Sequence, residues 1–349
     1  MSKPLVVLDA DVLGRQRTGD ETYVSALLRE LPKLDDELRL AAVTRNPESV
    51  PDGVEPVELP AGNQAWRMSW SLPRLLRRLR PALAHFQHVI PPGFAPPAVV
   101  TIHDISFERD RRLMGFRDRF FFRTMVPRSV RRAERVVSVS ATTSQDLIER
   151  YGVEADKIAV IPNGVDEEFS PDGPSKDGAP YLLFVGALQA RKDPLTAIEA
   201  LALVDSDLRL VLVGRDKGAA ADARRMATRL GLDGHVELAG HVDKLALAAL
   251  YRGAEALVFP SRYEGFGLPV LEAMASGTPV VASSAGAIPE IAGDAAVLVD
   301  PGDAVALASG IERALADRER LVQAGLERAQ LYSWTETARR TLAVYRELL

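Results

Sequence analysis

The chain lacks cysteine and is poor in lysine. Without cysteine it has no disulfide bridge, thiol nucleophile or thiolate metal site, and this composition is typical of a reducing compartment. We therefore expect a cytoplasmic protein. Lysine occupies seven positions, so that arginine supplies 36 of the 43 basic residues. We interpret the general excess of arginine as codon bias in a genome of high GC content.

Long hydrophobic runs are also missing. No window approaches the roughly 20 apolar residues that a membrane-spanning helix needs. The first apolar run, PLVVLDA (4–10), is too short for the core of a signal peptide and has no basic start. The net charge of −5 argues against nucleic acid as a partner. We therefore expect a globular protein without a signal peptide or transmembrane segment.

The chain has 349 residues, of which 47% are hydrophobic. A single core seldom grows past about 250–300 residues, which predicts two domains. Short β-rich runs alternate with helical patterns such as DETYVSALLREL (20–31), and this alternation predicts an α/β fold with parallel sheets covered on both faces. The predicted strands form a first series at 4–10, 38–43, 82–86, 98–102, 135–139 and 158–161, and a second series at 181–186, 208–214, 235–240, 256–260, 279–283 and 295–300.

The stretch SPDGPSKDGAP (170–180) separates the two series. It is built from turn-forming and polar residues without apolar period, which indicates a linker. We predict domains at 1–170 and 181–330, with the linker at 171–180. Ligands of open parallel sheets bind beyond the carboxyl ends of the strands. Two such sheets facing each other would enclose a substrate cleft.

One segment of the second domain combines two carboxylates with a constrained turn. In SRYEGFGLPVLEAMASG (261–277), Glu264 and Glu272 stand eight positions apart. Pro269 suits the first helical position, where its missing N–H costs nothing, and Gly277 suits the end of that helix. Backbone amides at such a helix start bind hydroxyl or phosphate oxygens, and glycines at 265 and 267 allow close approach. The amides concerned are those of Phe266, Gly267, Leu268 and Val270.

Each glutamate also has an interpretation without a ligand. Glu272 would then only complement the helix dipole, and Glu264 would be a surface charge. The intervening Gly-Phe-Gly-Leu-Pro favours the ligand site, in which Glu272 accepts two hydrogen bonds from a vicinal diol such as that of ribose.

The same segment resembles the E-x7-E region of the retaining glycosyltransferases of family 4. The resemblance extends along the chain. It is carried in order by VVTIHDISF (99–107), VIPNGVD (160–166), FSP (169–171), FVGALQARKDPLTAIEAL (184–201), LVLVGR (210–215), LAGHV (238–242) and LYSWTETARRTLAVYREL (331–348). It implies the GT-B fold, with two Rossmann-like domains facing each other across a cleft and a C-terminal helix (331–349) that crosses back to the N-terminal domain.

The resemblance implies that the first domain binds the acceptor and the second binds a nucleotide diphosphate sugar. Lys192 matches the family's phosphate-binding lysine. Ala187 stands where some members have an arginine, so that either Arg191 supplies the second cation or no residue does. Glu264 is implied to orient the sugar hydroxyls, and Glu272 to hold the ribose.

Further residues follow from the same comparison. His103 is implied to contact the donor sugar and is not assigned as a general base, which gives a catalytic set of Glu264, His103, Arg191 and Lys192. Gly19 opens the helix after the first strand, although Asp20 replaces the second glycine of many members. The remaining donor-binding residues are Gly186, Gly214, Arg215, Gly240, His241, Val242, Gly265, Phe266, Gly267 and Leu268. Structural roles for Arg215 and His241 stay open.

The resemblance implies transfer with retention at the anomeric carbon and without a cofactor or bound metal. The five histidines show no pattern of paired ligands beyond His85 and His88, which have no carboxylate nearby in the sequence. The variants TGDETYVSALL, HDISF and ARKDP are similar to those of mannosyltransferase-type members. We therefore expect GDP-mannose as donor, with a UDP-hexose second, and a glycan or lipid-linked acceptor. The alternatives are a GT-B nucleotide-sugar epimerase and a non-catalytic sugar-nucleotide-binding partner.

An arginine-rich segment runs from Arg109 to Arg135. It holds ten arginines against three acids, a local charge of +7, interleaved with phenylalanines, and Arg74, Arg77, Arg78 and Arg80 form a second basic run. Basic stretches with aromatic residues bind anionic membranes. The segment therefore indicates either peripheral contact with the inner membrane face or a core helix with solvated arginines.

Overall fold

The computed structural model describes residues 3–15, 18–60, 62–63, 66–109, 116–176, 178–204 and 207–349. The chain forms two compact units. The first comprises Met1–Gly164 with Ser333–Leu349, and the second comprises Val165–Tyr332. The division after Gly164 lies six residues before the end of the predicted first domain. Part of the arginine-rich segment (110–115) lies outside the described residues.

The described strands of the first unit form a seven-stranded parallel sheet. Its order is β3-β2-β1-β4-β5-β6-β7, with neighbouring strands in parallel register. The strands are β1 (Leu5–Asp9), β2 (Arg39–Thr44), β3 (Glu55–Glu58), β4 (Leu83–Gln87), β5 (Ala98–Ile102), β6 (Arg135–Ser138) and β7 (Ile158–Val160). The sequence reading missed β3. Its residues EPVE carry two charges and a proline, which is typical of an exposed edge strand and hides the β pattern.

Helices cover this sheet. They are α1 (Thr18–Leu34), α2 (Leu72–Leu79), α3 (Ser106–Arg109), α4 (Phe116–Arg132) and α5 (Ala141–Tyr151), with a π-helical turn at Arg67–Ser71 and 3₁₀ turns at Pro47–Ser49 and Ala155–Lys157. Helix α1 confirms the spacing read from DETYVSALLREL. Its apolar face, with Tyr23, Leu27 and Leu31, is buried.

The described strands of the second unit form a six-stranded parallel sheet in the order β10-β9-β8-β11-β12-β13. They are β8 (Tyr181–Val185), β9 (Arg209–Val213), β10 (Val236–Gly240), β11 (Ala256–Phe259), β12 (Val280–Ser283) and β13 (Val297–Val299). The helices are α6 (Pro194–Leu201), α7 (Ala220–Arg229), α8 (Lys244–Gly253), α9 (Leu268–Ala275), α10 (Ile288–Ala292), α11 (Ala304–Ala316) and α12 (Arg318–Ala329), with a 3₁₀ turn at Gly293–Ala295. The predicted second strand series is confirmed.

Both sheets reverse their strand order in the same way. In the first unit β1 lies between β2 and β4, and in the second β8 lies between β9 and β11. The loops that leave the carboxyl ends of the two central strands therefore diverge and open a crevice, the usual ligand position in such sheets. We therefore looked for the functional groups at these two crevices.

The last helix, α13 (Trp334–Leu348), packs against α1 as part of the first unit. The hydroxyl of Tyr345 lies 2.6 Å from Nδ1 of His85 beneath the sheet, and Arg346 pairs with Asp35 at 2.9 Å. Burial lowers the pKa of His85 to about 3, so that this histidine is neutral and structural. No helix among the described residues is both long and apolar enough to span a bilayer.

Candidate active site

Two loops meet at the crevice of the second unit and form one ion cluster. The loop between β8 and α6 carries Arg191 and Lys192, and the loop between β11 and α9 carries Glu264. Lys192 Nζ lies 2.5 Å from Glu264 Oε1, and Arg191 Nη1 lies 3.1 Å from Glu264 Oε2. The side chains are largely buried: 12% of the surface is exposed for Lys192, 15% for Arg191 and 9% for Glu264.

Glu264 is a permanent carboxylate in this environment. Burial opposes its ionisation, but the charges of Lys192 and Arg191 and the hydrogen bonds from Lys192 and Ser261 outweigh burial, and its pKa falls to about 2. Ser261 Oγ donates to Glu264 Oε1 at 2.5 Å. One carboxylate against two cations leaves the cluster with a net positive charge, which suits an anionic ligand.

Backbone contacts join the same two loops. The Arg262 amide donates to the Arg191 carbonyl at 2.8 Å, and Arg262 Nε donates to Asp193 at 2.8 Å. Arg191 Nη1 also donates to the Tyr263 carbonyl at 2.5 Å. Asp193 has a left-handed backbone with φ of +55°, an unusual conformation for a residue other than glycine. These contacts therefore fix the loop between β8 and α6, which carries Arg191 and Lys192, against the loop between β11 and α9, which carries Glu264.

The predicted glycines Gly186, Gly214 and Gly240 lie side by side at the ends of β8, β9 and β10. The Gly186 amide donates to the Val213 carbonyl at 2.9 Å, and the Gly214 amide donates to the Gly240 carbonyl at 2.7 Å. A Cβ atom on Gly214 would lie 2.0 Å from the Gly186 carbonyl oxygen. Because these three residues have no side chain, the backbone beside the ion cluster is open to a ligand.

Helix α9 begins at Leu268, one residue before the predicted first position at Pro269, and follows a left-handed Gly267 with φ of +101°. Among the described residues, the amides of Phe266, Gly267 and Leu268 donate no hydrogen bond. The prediction for Val270 was wrong, because its amide donates to the Gly267 carbonyl at 2.9 Å and closes the first turn. Gly265 lies in the same loop and is buried.

Glu272 lies one turn into α9 and faces α8. The hydroxyl of Tyr251 donates to Glu272 Oε2 at 2.8 Å, and Lys244 pairs instead with Asp166 at 2.8 Å. The pKa of Glu272 is raised to about 7, because burial, together with the nearby Asp166 charge, outweighs the Tyr251 hydrogen bond and the charges of Lys244 and Lys192. A ligand with several hydroxyl groups would therefore stabilise the carboxylate form of Glu272 and lower its pKa.

Three other predicted donor residues lie apart from this cluster. Arg215 and His241 follow the ends of β9 and β10 and are exposed, and Val242 is half-buried. In the described part of the chain, neither the Arg215 nor the His241 side chain forms a hydrogen bond or ion pair. They are accessible at the strand ends, and their roles stay predictions.

The predicted site residues of the first unit lie at the crevice of its sheet. Gly19 lies in the first turn of α1, and His103 follows β5. His103 Nε2 lies 2.8 Å from Gln87 Oε1, and the Tyr23 ring packs edge-on against the imidazole at 4.8 Å. Burial lowers the pKa of His103 to about 4, so that the ring is neutral.

The histidine pattern differs from the sequence interpretation. His85 points into the core, whereas His88 and His103 meet with a ring separation of 5.3 Å. His88 does have a carboxylate companion, since Asp20 Oδ2 lies 3.6 Å from its Nε2. The expectation failed because Asp20 is far from His88 in the sequence and reaches it through the parallel pairing of β1 with β4.

Sequence reasoning missed two supports of these sites. Under Glu264, a Cβ atom on Gly286 would lie 2.3 Å from the Glu264 carbonyl oxygen, and the Ala287 amide donates to that oxygen at 2.9 Å. The glycine in SSAGAIPE (283–290) was the available signal. In the first unit, Asp11 at the end of β1 receives two hydrogen bonds of 2.7 Å from Arg45. No local sequence motif predicts the pairing of Asp11 with Arg45.

The described part of the arginine-rich segment is mostly an ordinary amphipathic helix. Phe121 and Phe122 of α4 pack against the core, and Phe120 is 65% exposed. Arg123 pairs with Glu108 at 3.2 Å, and Arg135 pairs with Glu347 at 2.8 Å. The structure thus assigns two of the phenylalanines to the core.

Comparison with known proteins agrees with this geometry. Residues 17–169 match the family model "Glycosyltransferase Family 4", and residues 165–328 match "Glycosyl transferases group 1". The O-antigen chain mannosyltransferase B of Escherichia coli is 28% identical over 81% of this chain and 77% of its own length. A D-inositol 3-phosphate glycosyltransferase of Xylanimonas cellulosilytica is 32% identical over 61% of this chain, and the match spans only 57% of that relative.

Among solved structures, sucrose-phosphate synthase from Thermosynechococcus elongatus has a TM-score of 0.82 over 99% of both chains, at 24% identity. That likeness concerns the fold. The two adjoining family matches, the two Rossmann-like units and the mannosyltransferase relative lead to one conclusion. The chain belongs to the glycosyltransferases of family 4 and has the GT-B type of fold.

Proposed function

We propose that the protein is a retaining glycosyltransferase that moves a hexose from a nucleotide diphosphate sugar to an acceptor hydroxyl. The observation that carries the proposal is the buried cluster of Arg191, Lys192 and Glu264 at the crevice of the second unit. Its net positive charge beside the free amides of Phe266, Gly267 and Leu268 suits a diphosphate.

The remaining groups suit the rest of such a donor. The bare ends of β8, β9 and β10 leave room for a nucleotide to approach the backbone. Glu272 lies one turn beyond the free amides, and its carboxylate would accept the two ribose hydroxyls. Glu264 uses both oxygens to orient the cations, and a carboxylate oxygen has a further lone pair for a sugar hydroxyl.

The reaction we propose occurs on one face of the sugar. The bond between the anomeric carbon and the diphosphate oxygen breaks, and its electron pair stays on the diphosphate. The acceptor oxygen bonds to the same face of the carbon, and its proton passes to the leaving diphosphate. Arg191, Lys192 and the helix amides stabilise the growing negative charge, and His103 contacts the sugar.

GDP-mannose is the first donor we propose, supported by the mannosyltransferase relatives, and a UDP-hexose is the second. The acceptor would be a glycan, a polysaccharide or a lipid-linked sugar, and the reaction would take place in the cytoplasm. Because cationic side chains face the diphosphate, we propose that transfer needs no bound metal. Treatment with chelator should leave activity intact, and loss of activity that Mn²⁺ restores would contradict this.

The described residues also offer a surface for peripheral membrane contact. Trp66 and Trp70 are 52% and 51% exposed, and their rings lie 5.9 Å apart at a tilt of 35°. Exposed arginines of α2 follow directly at Arg74, Arg77 and Arg78. Tryptophan beside arginine suits the interface of an anionic bilayer, which supports an acceptor attached to lipid.

Thermal shift with a panel of UDP, GDP, ADP and their sugars tests the donor site. A ligand held at about 100 times its dissociation constant should stabilise the protein by roughly 2.7 kcal/mol. We expect a rise in melting temperature with one nucleotide, lost in Lys192→Ala and kept in the exposed Lys33→Ala. If no nucleotide raises the melting temperature of the wild-type protein, the proposed donor site is wrong.

A further inference from the structure

Three side chains of the first unit, Asp20, His88 and His103, bring ligand atoms together at the carboxyl end of its sheet. One nitrogen or oxygen atom from each lies within 4.8 Å of the atoms from the other two. Asp20 comes from the first turn of α1, and the histidines follow β4 and β5. The geometry points to a binding site for a divalent transition-metal cation held by Asp20, His88 and His103.

The spacing between Asp20 and His88 leaves room for a cation between them. Nε2 of His88 and Oδ2 of Asp20 are 3.6 Å apart. That separation is too long for a hydrogen bond. It is close to the distance of about 3.4 Å that separates two ligand atoms around a tetrahedral Zn²⁺ with bonds near 2.1 Å.

The surroundings orient His103 as a metal-binding imidazole. Its Nε2 lies 2.8 Å from the Gln87 amide oxygen, which places the proton on Nε2 and leaves a lone pair on Nδ1. Outer hydrogen bonds of this kind fix the tautomer and the ring orientation of histidine ligands. The edge of the Tyr23 ring at 4.8 Å further limits rotation of the imidazole.

His88 is held in an unusual conformation that directs it to the same point. Its backbone is left-handed with φ of +61°, and its amide donates to the Thr101 carbonyl at 2.9 Å. Such strain in a residue other than glycine concentrates at functional sites. Nε2 of His88 is the ring nitrogen that faces Asp20.

The ligand set selects the kind of cation. Two imidazoles and one carboxylate favour Zn²⁺, Co²⁺ or Ni²⁺ over Mg²⁺ and Ca²⁺, which prefer oxygen ligands. Three protein ligands leave at least one coordination position for water or a hydroxyl. The Asp20 side chain is 39% exposed, so that a cation can enter from solvent.

This inference goes beyond the proposed function, because it assigns a cation to residues of the first unit, whereas the proposed diphosphate ligands belong to the second unit. A bound cation would hold the same His103 ring that the family resemblance assigns to the donor sugar. Occupation of the site would therefore compete with that contact, and added Zn²⁺ should slow transfer by the metal-free enzyme.

The first experiment uses the full chain, stripped with chelator and dialysed, without any nucleotide. Titration with ZnCl₂ by calorimetry should give one site per chain with micromolar or tighter affinity, and CoCl₂ should give the visible absorption bands of a four-coordinate Co²⁺ ion. His88→Ala and Asp20→Asn should each weaken Zn²⁺ binding at least about tenfold. His235→Ala, which removes a histidine from the other unit, should bind as the wild type does.

Circular dichroism and thermal melting without metal identify variants that fail to fold, and Asp20→Asn keeps the size of the side chain for that reason. Absent Zn²⁺ binding by the wild-type protein would overturn the inference and leave an ordinary histidine–aspartate ion pair. Binding that persists unchanged in folded Asp20→Asn and His88→Ala would overturn it equally. Neither result affects the nucleotide titration, so that failure of the metal site and failure of the donor site are distinguishable.

Discussion

Glu264 depends on Lys192 for its charge state, because the Lys192 charge is the largest of the effects that lower the pKa of Glu264. Lys192 Nζ approaches the Glu264 carboxylate to 2.5 Å and also lies 5.1 Å from the centre of the Phe259 ring. Removing one partner of a buried ion pair strongly destabilises a protein, because the charge of the other partner stays buried without compensation. The residue that would bind phosphate is thus also the residue that positions the predicted sugar-binding carboxylate.

Replacement of Lys192 therefore tests both roles. We expect Lys192→Ala to lower turnover at least about 10²-fold, the scale of losing one charge-stabilising contact in a transition state. Release of nucleoside diphosphate, measured with the donor that binds and a panel of acceptor glycans, reports turnover. Lys33→Ala is the matched control. Near-normal turnover by folded Lys192→Ala would remove Lys192 from the proposed mechanism.

The raised pKa of Glu272 predicts a pH dependence of donor binding. Its pKa of about 7 means that the free protein carries a proton on Glu272 at pH 6 and a carboxylate at pH 8. Only the carboxylate accepts from both ribose hydroxyls, so that binding requires loss of the proton at low pH. The dissociation constant for the donor should be about tenfold larger at pH 6 than at pH 8.

Calorimetry with the intact nucleotide sugar measures this effect, because its doubly esterified diphosphate has no proton to lose in that range. Glu272→Gln should bind weakly at both pH values and flatten the profile, while Glu199→Gln, at a half-buried glutamate of α6, should keep the wild-type profile. A tenfold pH effect that survives in Glu272→Gln would show that another group is responsible.

At the scale of elements, the ends of adjacent strands form the donor site, and one glycine sets how closely two of them approach. A Cβ atom on Gly214 would meet the backbone oxygen of Gly186 at 2.0 Å. That oxygen belongs to the backbone at the carboxyl end of β8, and backbone cannot move aside as a flexible side chain would. The end of β9 would therefore have to separate from the loop that follows β8.

Gly214→Ala should accordingly destabilise the protein by about 3 kcal/mol or more and weaken nucleotide binding. Gly231→Ala is the control, because Gly231 has a φ of +70° but nothing within 4 Å of an added Cβ. The control should lose only about 1 kcal/mol from its left-handed backbone. Urea or thermal unfolding measures both. Equal losses in the two variants would show that the close approach is unimportant.

At the scale of the whole molecule, the proposed membrane contact concerns surfaces that the fold leaves exposed. The exposed tryptophan pair and the arginines of α2 lie in the first unit, whereas the phenylalanines of α4 that looked promising in the sequence are partly core. We therefore expect the tryptophan pair to contribute more to lipid binding than α4.

Sedimentation with vesicles rich in anionic lipid at physiological salt tests this expectation. The wild-type protein should sediment with them, and Trp66→Ala with Trp70→Ala should reduce the bound fraction several-fold. Arg225→Ala, on an exposed helix of the second unit, serves as control. Failure of the wild-type protein to sediment with the vesicles would contradict the membrane contact.

Local sequence was enough to predict the alternation of strands and helices, the E-x7-E segment and the family, because these depend on local periodicity and on residues close together in the chain. The start of α9 near Pro269 and the end of β8 just before Gly186 were predictable for that reason. Edge strand β3 was not, since an exposed strand needs few apolar residues.

The tertiary structure alone decided which side chains meet. Pairing of Glu264 with Arg191 and Lys192 requires β11 to lie beside β8, and the meeting of Asp20, His88 and His103 requires β1, β4 and β5 to be neighbours. The same pattern of apolar runs is compatible with several strand orders. Only packing of the sheet therefore converts Glu264 from a predicted loop residue into a buried carboxylate, and gives His88 a partner that its sequence neighbours do not offer.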